Sequence, residues 1–505
     1  MICYAGAMSS SRSNSKRYLT LIAAFLGWMF DGFEMGLFPL IGQPALKDLL
    51  GAAAQADATK WFGAIIAVFL VGAATGGVLF GWLGDKIGRV RAMSLSIFTY
   101  AIFTGLCGFA TEAWHIAVFR FIASLGMGGE WALGVALVNE IWPDKSRALT
   151  AGLIGAAANI GYLLAAVLSM ILLNFMTTAE GVILFLGMSQ QTADYLLAHS
   201  AWRLLMISGA LPAVLIFLIR IFVPESEKWE AERDRGHTSH WANVDLLGVL
   251  IGSFAAVMII WAWSPAGTTP GIAIVVTVLG LAVALAGFLY PVQRYLARSE
   301  AAGSFTHSHN QGVIKMMLIG AGLASVALLG TWGSTQWASR WAIELEPDPA
   351  KHAKEWTLFW LSMGAIVGTM AAALSAGRFG RRKTFMVLCL SSIGGALLLY
   401  QTNTTYSGYF LFCTFVAGAT TASFYGFFPL YLPELFPTAV RATGQGFAFN
   451  FGRIIAAIGG LQTANLMLFF DNSFPKAASV MAGIYVVGMG IIWLGPETRG
   501  RPLPE

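Results

Sequence analysis

Two carboxylic acids stand inside an apolar stretch near the amino terminus. Asp31 and Glu34 fall within residues 18–40, where most other side chains are hydrophobic. Residues three apart share one face of a helix, so the two carboxyl groups are neighbours. An acid in the middle of a membrane costs about 2.5–3.5 kcal/mol, which makes a functional role the default. Because an apolar setting favours the neutral acid, this pair is suited to taking up and releasing a proton.

Three further charged residues lie in apolar stretches, namely Arg120, Glu130 and Arg453. At the helical rise, Arg120 and Glu130 are about 15 Å apart along one helix. The buried acids are candidates to carry a coupling proton, while Arg120 pairs with one of them or with an anionic substrate. Alternatively, Arg120, Glu130 and Asp31 form a static ion pair that joins two helices. We favour proton coupling because apolar packing would fill a purely structural role better. This mechanism requires that the acids of the first helix lie in a central cavity.

Composition indicates which elements carry these charges. Of the 505 residues, 57% are hydrophobic and 11% are charged, against about 25% charged residues in soluble domains. A helix needs about 20 mostly apolar residues to cross a bilayer and satisfies its own backbone there. The sequence therefore predicts an all-α membrane protein with fourteen transmembrane helices. These are expected at residues 18–40, 61–83, 92–110, 114–139, 148–173, 202–222, 246–263, 272–290, 313–337, 356–376, 384–400, 408–431, 443–468 and 477–495.

The positions of lysine and arginine predict the orientation of the chain. With fourteen spans and the amino terminus inside, 22 of the 31 basic residues fall on the cytoplasmic side and 7 outside. Positive residues are retained on the cytoplasmic side of membrane proteins, so this bias supports both the count and the direction. We predict a multi-pass protein of the cell inner (plasma) membrane with both termini in the cytoplasm.

The two halves of the chain repeat the same short sequences. The matching pairs are residues 84–91 and 377–383, 140–148 and 434–442, and 224–226 and 496–498. Parallel repeats related by an axis along the membrane normal form one transporter architecture, with the substrate site near the midplane between the repeats. A receptor or a membrane enzyme would have no reason to repeat its cytoplasmic loops.

This repeat divides the chain into two six-helix bundles with a helical hairpin inserted between them. The expected segments are a cytoplasmic tail at 1–17, a first bundle at 18–222, a charged cytoplasmic linker at 223–245, a transmembrane hairpin at 246–290, a second bundle at 313–495 and a cytoplasmic tail at 496–505. Oligomer contact and simple packing are equally open as roles for the hairpin. We expect a functional monomer.

The motif GxxxDKxGRxR at residues 81–91 resembles the signature loop of the major facilitator superfamily. The repeated Glu-x-aromatic-Pro and Pro-Glu-Ser/Thr elements resemble those of its metabolite and sugar symporters, and the resemblance covers nearly the whole chain. It implies a gate of ion pairs that closes the cytoplasmic side. The residues it assigns to this gate are Asp85, Arg89, Glu140, Arg147, Arg381, Glu434 and Arg441.

Two qualifications attach to this gate. Gly377 stands in the second half where Asp85 stands in the first, so the gate should be asymmetric. The alternative interpretation is a positively charged cytoplasmic face with surface ion pairs, each of which contributes little. We favour the gate because each half supplies the same trio of charges.

A second resemblance concerns the charges inside the membrane. Residues 31–34, Asp-Gly-Phe-Glu, resemble the Asp-Gly-Phe-Asp element of aromatic-acid symporters, with Glu34 one methylene longer than the usual aspartate. The spacing from Arg120 to Glu130 and the fourteen-span layout resemble the sialate and carboxylate proton symporters. The resemblance implies a secondary active transporter that takes up a small organic anion or related metabolite with protons, by alternating access.

Two other kinds of transport remain as alternatives. A facilitative or proton-coupled sugar porter agrees with the sugar-porter motifs but leaves Asp31 and Glu34 idle. A drug antiporter ranks last because residues 152–161 lack the Gly-Pro element of those carriers.

Polar and aromatic side chains within the spans predict the lining of a cavity less specifically. The candidates are Asn159, Trp332, Gln336, Trp337, Tyr425, Asn450 and Arg453. Aromatic residues at helical spacing more often serve in packing or as interface anchors.

No catalytic chemistry is indicated by the sequence. The four cysteines lack metal-ligand spacing, and neither a phosphate loop nor a catalytic triad is present. We expect no enzymatic activity, no metal, no cofactor and no nucleic-acid partner. The expected partners are a small-molecule substrate, protons and membrane lipid.

Overall fold

The computed structural model describes residues 2–51, 55–142, 146–174, 176–212, 214–215, 219, 222–264 and 267–505. These residues form helices and short turns, and no strand occurs among them. The first half contains α1 (Ile2–Leu50), α2 (Gln55–Ile87), α3 (Arg89–Cys107), α4 (Ala113–Ile141), α5 (Arg147–Asn174), α6 (Met176–Phe185) and α7 (Gln190–Ser208). The linker and the insert contain α8 (Glu227–Asp234), α9 (Leu246–Ala262) and α10 (Pro270–Ala301).

The second half follows the same plan, with several spans broken into two helices. It contains α11 (His307–Gly333), α12 (Ala338–Leu345), α13 (Ala353–Phe379), α14 (Arg381–Thr402), α15 (Gly408–Thr421), α16 (Phe424–Tyr431), α17 (Arg441–Phe469), α18 (Phe474–Ala482) and α19 (Ile484–Ile491).

Twelve helical segments among the described residues are long and apolar enough to cross a membrane. The protein is therefore a multi-pass, all-helical membrane protein. Part of the predicted span 202–222 lies outside the described residues, and the span predicted at 443–468 corresponds to α17, with four residues whose side chains are not described. The count of fourteen spans stays a prediction.

The first helix is longer than the sequence suggests. We placed a polar tail before residue 18, but α1 begins at Ile2 and continues to Leu50. The first 17 residues contain no proline, so nothing in them excludes a helix, although Ser15 and the residues before it would also suit a later helix start. It also continues past Pro39 and Pro44, each of which removes one backbone N–H from the helical hydrogen bonds.

The two halves meet along two seams. One seam is formed by α2 and α17, and the other by α5 and α13. We call the end of the molecule that holds the repeated loops at 84–91 and 377–383 the motif end, and the opposite end the far end. The seams place the middle turns of helices from both halves around a shared space.

The inserted hairpin of α9 and α10 packs over the seam between α2 and α17. It is joined to the first half by a buried hydrogen bond of 2.8 Å between Thr75 Oγ1 and Ser253 Oγ. It contacts the second half through the rings of Phe288 and Phe451, whose centroids are 6.4 Å apart. The hairpin therefore contacts both halves at one side of their interface.

Candidate functional site

A cavity lies between the two halves at the level of the middle turns of their helices. Its lining from the first half includes Trp28, Met35, Asn159 and Tyr162. Its lining from the second half includes Trp332, Gln336, Ser362, Tyr425 and Arg453. Aromatic walls with a few polar groups are typical of a site for a small organic ligand. Five of the seven candidate residues lie in this cavity.

Trp337 and Asn450 are not among the residues that line this cavity, and Asn450 lies in a helix contact. Its side-chain amide donates to the backbone oxygen of Gly128 at 3.0 Å, within the contact between α17 and the first half. Asn450 precedes Arg453 by three residues, which turns it by about 60° around α17 and moves it about 4.5 Å towards the motif end. At that level the halves are in direct contact, so the amide serves helix packing.

Arg453 brings a positive charge to the cavity wall. The residue is 3% exposed, and its Nε and Nη1 form no hydrogen bond with any residue that the structure describes. The Asp31 carboxylate is near enough to attract it electrostatically. A buried guanidinium is unfavourable without an anionic or hydrogen-bonding partner. Arg453 therefore offers N–H donors to a carboxylate that enters the cavity.

Arg120 is already paired. Its Nη1 lies 2.6 Å from Glu34 Oε1, and the same oxygen accepts a hydrogen bond of 3.1 Å from Thr104 Oγ1. The guanidinium lies 4.6 Å from the ring centroids of both Phe38 and Phe69. Of the two partners predicted for Arg120, an intramembrane acid or a substrate, the acid holds it here. This pair joins α1, α3 and α4.

Asp31 and Glu130 form a second acidic site. Their carboxyl groups face each other, and the hydroxyl of Tyr100 faces that of Glu130. Yet none of the four carboxyl oxygens makes a hydrogen bond of standard geometry with a described residue. Two adjacent ionised carboxylates repel each other, so one proton shared between them stabilises the pair. Tyr100 had no signal in the sequence because it is one aromatic residue in an apolar helix.

The acids of α1 lie behind the cavity wall, contrary to expectation. Among the described residues that line the cavity, α1 contributes Trp28 and Met35 rather than Asp31 or Glu34. Each residue turns a helix by about 100°, so Glu34 is rotated about 120° from Trp28 and Asp31 about 60°. Glu34 therefore points into the first half. Asp31 lies at the edge of the wall, within electrostatic range of Arg453.

At the motif end, three charged residues form a buried cluster across the two halves. Arg89 Nη2 lies 3.1 Å from Glu140 Oε1, and Arg441 Nη1 lies 2.9 Å from the same oxygen. These three side chains are fully buried, and the cluster extends to a fourth charge, Asp85, whose Oδ1 lies 2.9 Å from Arg89 Nη1. Arg441 belongs to the second half, so Glu140 connects the halves. Removing one partner of such a cluster leaves an unpaired buried charge.

A second cluster repeats this arrangement with the halves exchanged. Arg381 Nη2 lies 2.6 Å from Glu434 Oε1, and Arg147 Nη1, from the first half, lies 3.0 Å from the same oxygen. The Thr498 hydroxyl donates to Glu434 Oε2 at 2.5 Å. The two clusters follow the sequence repeat, and both are buried rather than spread over the surface.

The contact made by Asp85 distinguishes the two halves. Its carboxylate accepts hydrogen bonds from the backbone N–H of Ala442 at 3.2 Å and of Thr443 at 2.8 Å, at the start of α17. A carboxylate is stabilised there by the free N–H groups of the first helical turn. At Gly377, a Cβ atom would lie 2.9 Å from Ala148 Cβ, so the helices approach closely instead. This geometry agrees with the asymmetry expected from the sequence.

Glu225 and Glu497, from the repeated Pro-Glu elements, are functional candidates that the sequence reasoning missed. Glu225 Oε1 accepts from the backbone N–H of Arg89 at 2.8 Å, and Glu497 Oε1 accepts from that of Arg381 at 2.9 Å. Burial raises the pKa of Glu225. Burial acts in the same direction on Glu497, but hydrogen bonds from the backbone N–H groups of residues 381 and 382 stabilise its carboxylate. The pKa of Glu497 is therefore lower than that of an ordinary glutamate. Their repetition was the signal that could have identified them.

The protein has two helical halves around a central cavity, and each half contributes an equivalent ion-pair cluster at one end. This arrangement is that of a transporter of the major facilitator superfamily. The family described as sugar (and other) transporter matches residues 19–240 and 329–499, and the chain belongs to it. The resemblance drawn from the sequence is thereby confirmed, as is the expectation of a small-molecule transporter rather than an enzyme. Residues 241–328, which include the hairpin, lie outside the match.

Individual relatives are distant but span nearly the whole chain. The niacin transporter NiaP of Acinetobacter baylyi is 23% identical over 489 residues, which cover 96% of this chain and 95% of the relative. The sialic acid transporter NanX of Escherichia coli is 23% identical over 478 residues, which cover 95% and 90%. The structure of the proton:xylose symporter XylE, from E. coli, superposes with a TM-score of 0.68 at 17% identity, covering 97% of this chain and 98% of that one.

Proposed function

We propose that this protein is a proton-coupled symporter that takes up a small organic anion by alternating access. The observation that carries the proposal is the guanidinium of Arg453, a buried cation at the cavity wall whose Nε and Nη1 donate to none of the residues that the structure describes. A carboxylate is the group that matches these donors best, because it accepts two parallel hydrogen bonds and neutralises the charge. Niacin and sialic acid, named for two of the relatives, are both carboxylic acids, which supports this assignment.

The acids of the first helix do not line the cavity, so the requirement stated from the sequence is not met; in this mechanism substrate binding and proton uptake are instead linked indirectly, through Arg453. While the cavity is empty, Arg453 attracts the Asp31 carboxylate, which faces Glu130. When the substrate carboxylate binds Arg453, it competes for the positive charge that stabilised ionised Asp31. A buried acid that loses its counter-charge binds a proton. This second proton joins the one that the Asp31–Glu130 pair already shares, and the pair holds both while the anion occupies the cavity.

The remaining parts of the proposal concern orientation and gating. The motif end faces the cytoplasm of a cell inner membrane, and both termini lie on that side. The clusters around Glu140 and Glu434 hold the cytoplasmic side closed, and they separate when the substrate is released inward. The protein works as a lipid-embedded monomer of fourteen spans, with the segments 18–222 and 313–495 as its two moving bundles.

Sugar transport is the second candidate. The amide groups of Asn159 and Gln336 line the cavity and suit hydroxyl groups, and the family includes sugar carriers by its description. A neutral sugar, however, would leave Arg453 without an anion. Because a sugar is neutral, its binding would also not change the charge near the Asp31–Glu130 pair, so it would not drive proton uptake there.

Reconstituted vesicles separate the two candidates. We expect radiolabelled nicotinate or N-acetylneuraminate, but not xylose, to accumulate when the outside is acidic, and accumulation to be lost in Asp31→Asn. A charge-assisted hydrogen bond is worth about 1.5–3 kcal/mol, so Arg453→Gln should raise the KM for the anion by about 10- to 100-fold. Arg340→Gln, the same change at an exposed arginine, serves as the control.

The opposite pattern would reject the proposal. Equilibration of xylose without dependence on the pH gradient would favour the sugar porter. If both anions accumulate normally in Arg453→Gln, the anion is not bound by this residue. If accumulation in Asp31→Asn still follows the pH gradient, the proton is carried elsewhere.

A further inference from the structure

At the far end, a lysine of the second half bonds to the backbone of the first. Lys354 lies in the first turn of α13, and its Nζ donates to the carbonyl oxygen of Leu40 in α1 at 2.6 Å. The contact joins residues 314 positions apart in the chain. It lies at the end of the molecule opposite the clusters of Glu140 and Glu434.

The acceptor is available because of a proline. In an α-helix, the carbonyl of residue 40 would accept the N–H of residue 44. Residue 44 is Pro44, inside α1, and it has no N–H to donate. Leu40 is 5% exposed, so its carbonyl has little access to water. A buried carbonyl without a partner is unfavourable, and the ammonium group of Lys354 supplies the missing donor.

The position of Lys354 is not explained by its own helix. The start of a helix carries a partial positive charge, so a cation in the first turn is unfavourable there. The exposed Lys351, three residues earlier, pairs instead with Glu346. The contact that accounts for Lys354 is thus the one it makes with the other half.

We propose that Lys354 and the Leu40 carbonyl form an outer latch, closed when the cavity is shut at the far end and broken when the halves separate there. The proposal rests on the alternating-access part of the proposed function, but not on the identity of the substrate or of the coupling ion. The latch is a charged nitrogen on a neutral oxygen, whereas each motif-end cluster holds two arginines on one glutamate. The far end therefore opens more readily than the motif end, and Lys354 sets how often it does so.

Chemical labelling of the cavity tests the latch directly. Ser362 lines the cavity on α13, and Ser362→Cys is nearly isosteric. The reporter is a variant in which Ser362→Cys is the single cysteine, because serine replaces Cys3, Cys107, Cys389 and Cys413. A membrane-impermeant maleimide is added to right-side-out vesicles that contain this variant, without substrate, and the rate of labelling is measured. Adding Lys354→Met should speed labelling by about tenfold, the effect of losing one hydrogen bond to a charged group. Lys354→Arg, which keeps a charged donor, should be labelled more slowly than Lys354→Met.

Two further variants serve as a control and as an independent test of the latch. Lys351→Met removes a neighbouring exposed charge and should leave the labelling rate unchanged. Pro44→Ala restores a helical N–H that competes with Lys354 for the Leu40 carbonyl, so it should also speed labelling, but to a lesser degree than Lys354→Met. If Lys354→Met does not insert into the membrane, the labelling rate of Pro44→Ala tests the latch in its place. Unchanged or slower labelling in Lys354→Met and Pro44→Ala would overturn the latch. Since neither protons nor anion enter this assay, its result is independent of the symport experiment.

Discussion

At the residue scale, the buried charges of the first half fall into two kinds. The pair of Arg120 and Glu34 is satisfied, with an ion pair of 2.6 Å and a hydrogen bond from Thr104. The pair of Asp31 and Glu130 lacks hydrogen bonds of standard geometry within the described part of the chain. An ion pair with its hydrogen bonds made holds helices together. Two buried acids without such bonds repel each other when both are ionised, so binding of a single proton strongly changes the free energy of the pair.

This difference predicts that the two acids contribute very different amounts to stability. Glu34→Gln should lower the stability by about 3–5 kcal/mol, because it leaves the Arg120 guanidinium buried without its anion. Asp31→Asn should cost about 1 kcal/mol or less, since it removes a charge whose oxygens have no hydrogen bond to lose. Thermal unfolding of both variants in the same detergent measures the contrast. Equal shifts in the unfolding temperature would mean that both acids serve only packing.

At the element scale, the close crossing of α1 and α5 sets where these charges lie. A Cβ atom at Gly32 would lie 1.9 Å from the backbone oxygen of Ala158, and one at Gly161 would lie 1.9 Å from that of Met29. Such contacts allow the helix axes to approach as closely as small residues permit in membrane proteins. Gly32 stands between Asp31 and Glu34, so the glycine of the Asp-Gly-Phe-Glu element fixes the rotation of α1.

A pair of glycine substitutions tests this crossing. Gly32→Ala should lower stability by about 1–3 kcal/mol, the usual effect of overpacking, and should reduce uptake because α1 must shift. Gly394→Ala, in α14, meets nothing within 4 Å and should be neutral or slightly stabilising. The measurement is again thermal unfolding, together with initial uptake rates. Wild-type behaviour of Gly32→Ala would show that α1 and α5 are not held at this distance.

At the scale of the whole molecule, the two ends differ in how strongly they join the halves. The motif end holds two buried ion-pair clusters and the cap of Asp85 on α17. The far end contributes the hydrogen bond from Lys354 to Leu40. Under the alternating access that we propose, these contacts must break before a substrate can leave at the motif end.

Weakening one cluster should therefore expose the cavity at the motif end. Glu140→Gln removes the anion shared by Arg89 and Arg441, so the Ser362→Cys reporter should be labelled faster from the cytoplasmic side, by about tenfold or more. Inside-out vesicles with the impermeant maleimide measure this rate. Glu227→Gln, at an exposed glutamate of the linker, is the matched control. Labelling that stays at the control rate would argue that the clusters stabilise the fold without gating it.

Several properties of this protein follow from the sequence alone. Apolar runs long enough to cross a bilayer, the repeated loops and the Asp85–Arg91 motif predict the membrane class, the family and the charged residues of the motif end. These signals are local, because hydropathy and helical periodicity depend on residues close together in the chain. The repeat then predicts that each half supplies equivalent charges.

Other properties depend on the tertiary structure. Composition does not indicate that Arg120 pairs with Glu34, or that two nitrogens of Arg453 find no acceptor in the described part of the chain. Nor does it indicate that Asn450 faces a helix contact or that Lys354 reaches Leu40. Each depends on the rotation of a helix about its axis and on partners far apart in the chain, and a rotation of about 60° moves a side chain from the cavity to an interface. Helix packing fixes these rotations, and packing is a property of the assembled halves rather than of any one segment.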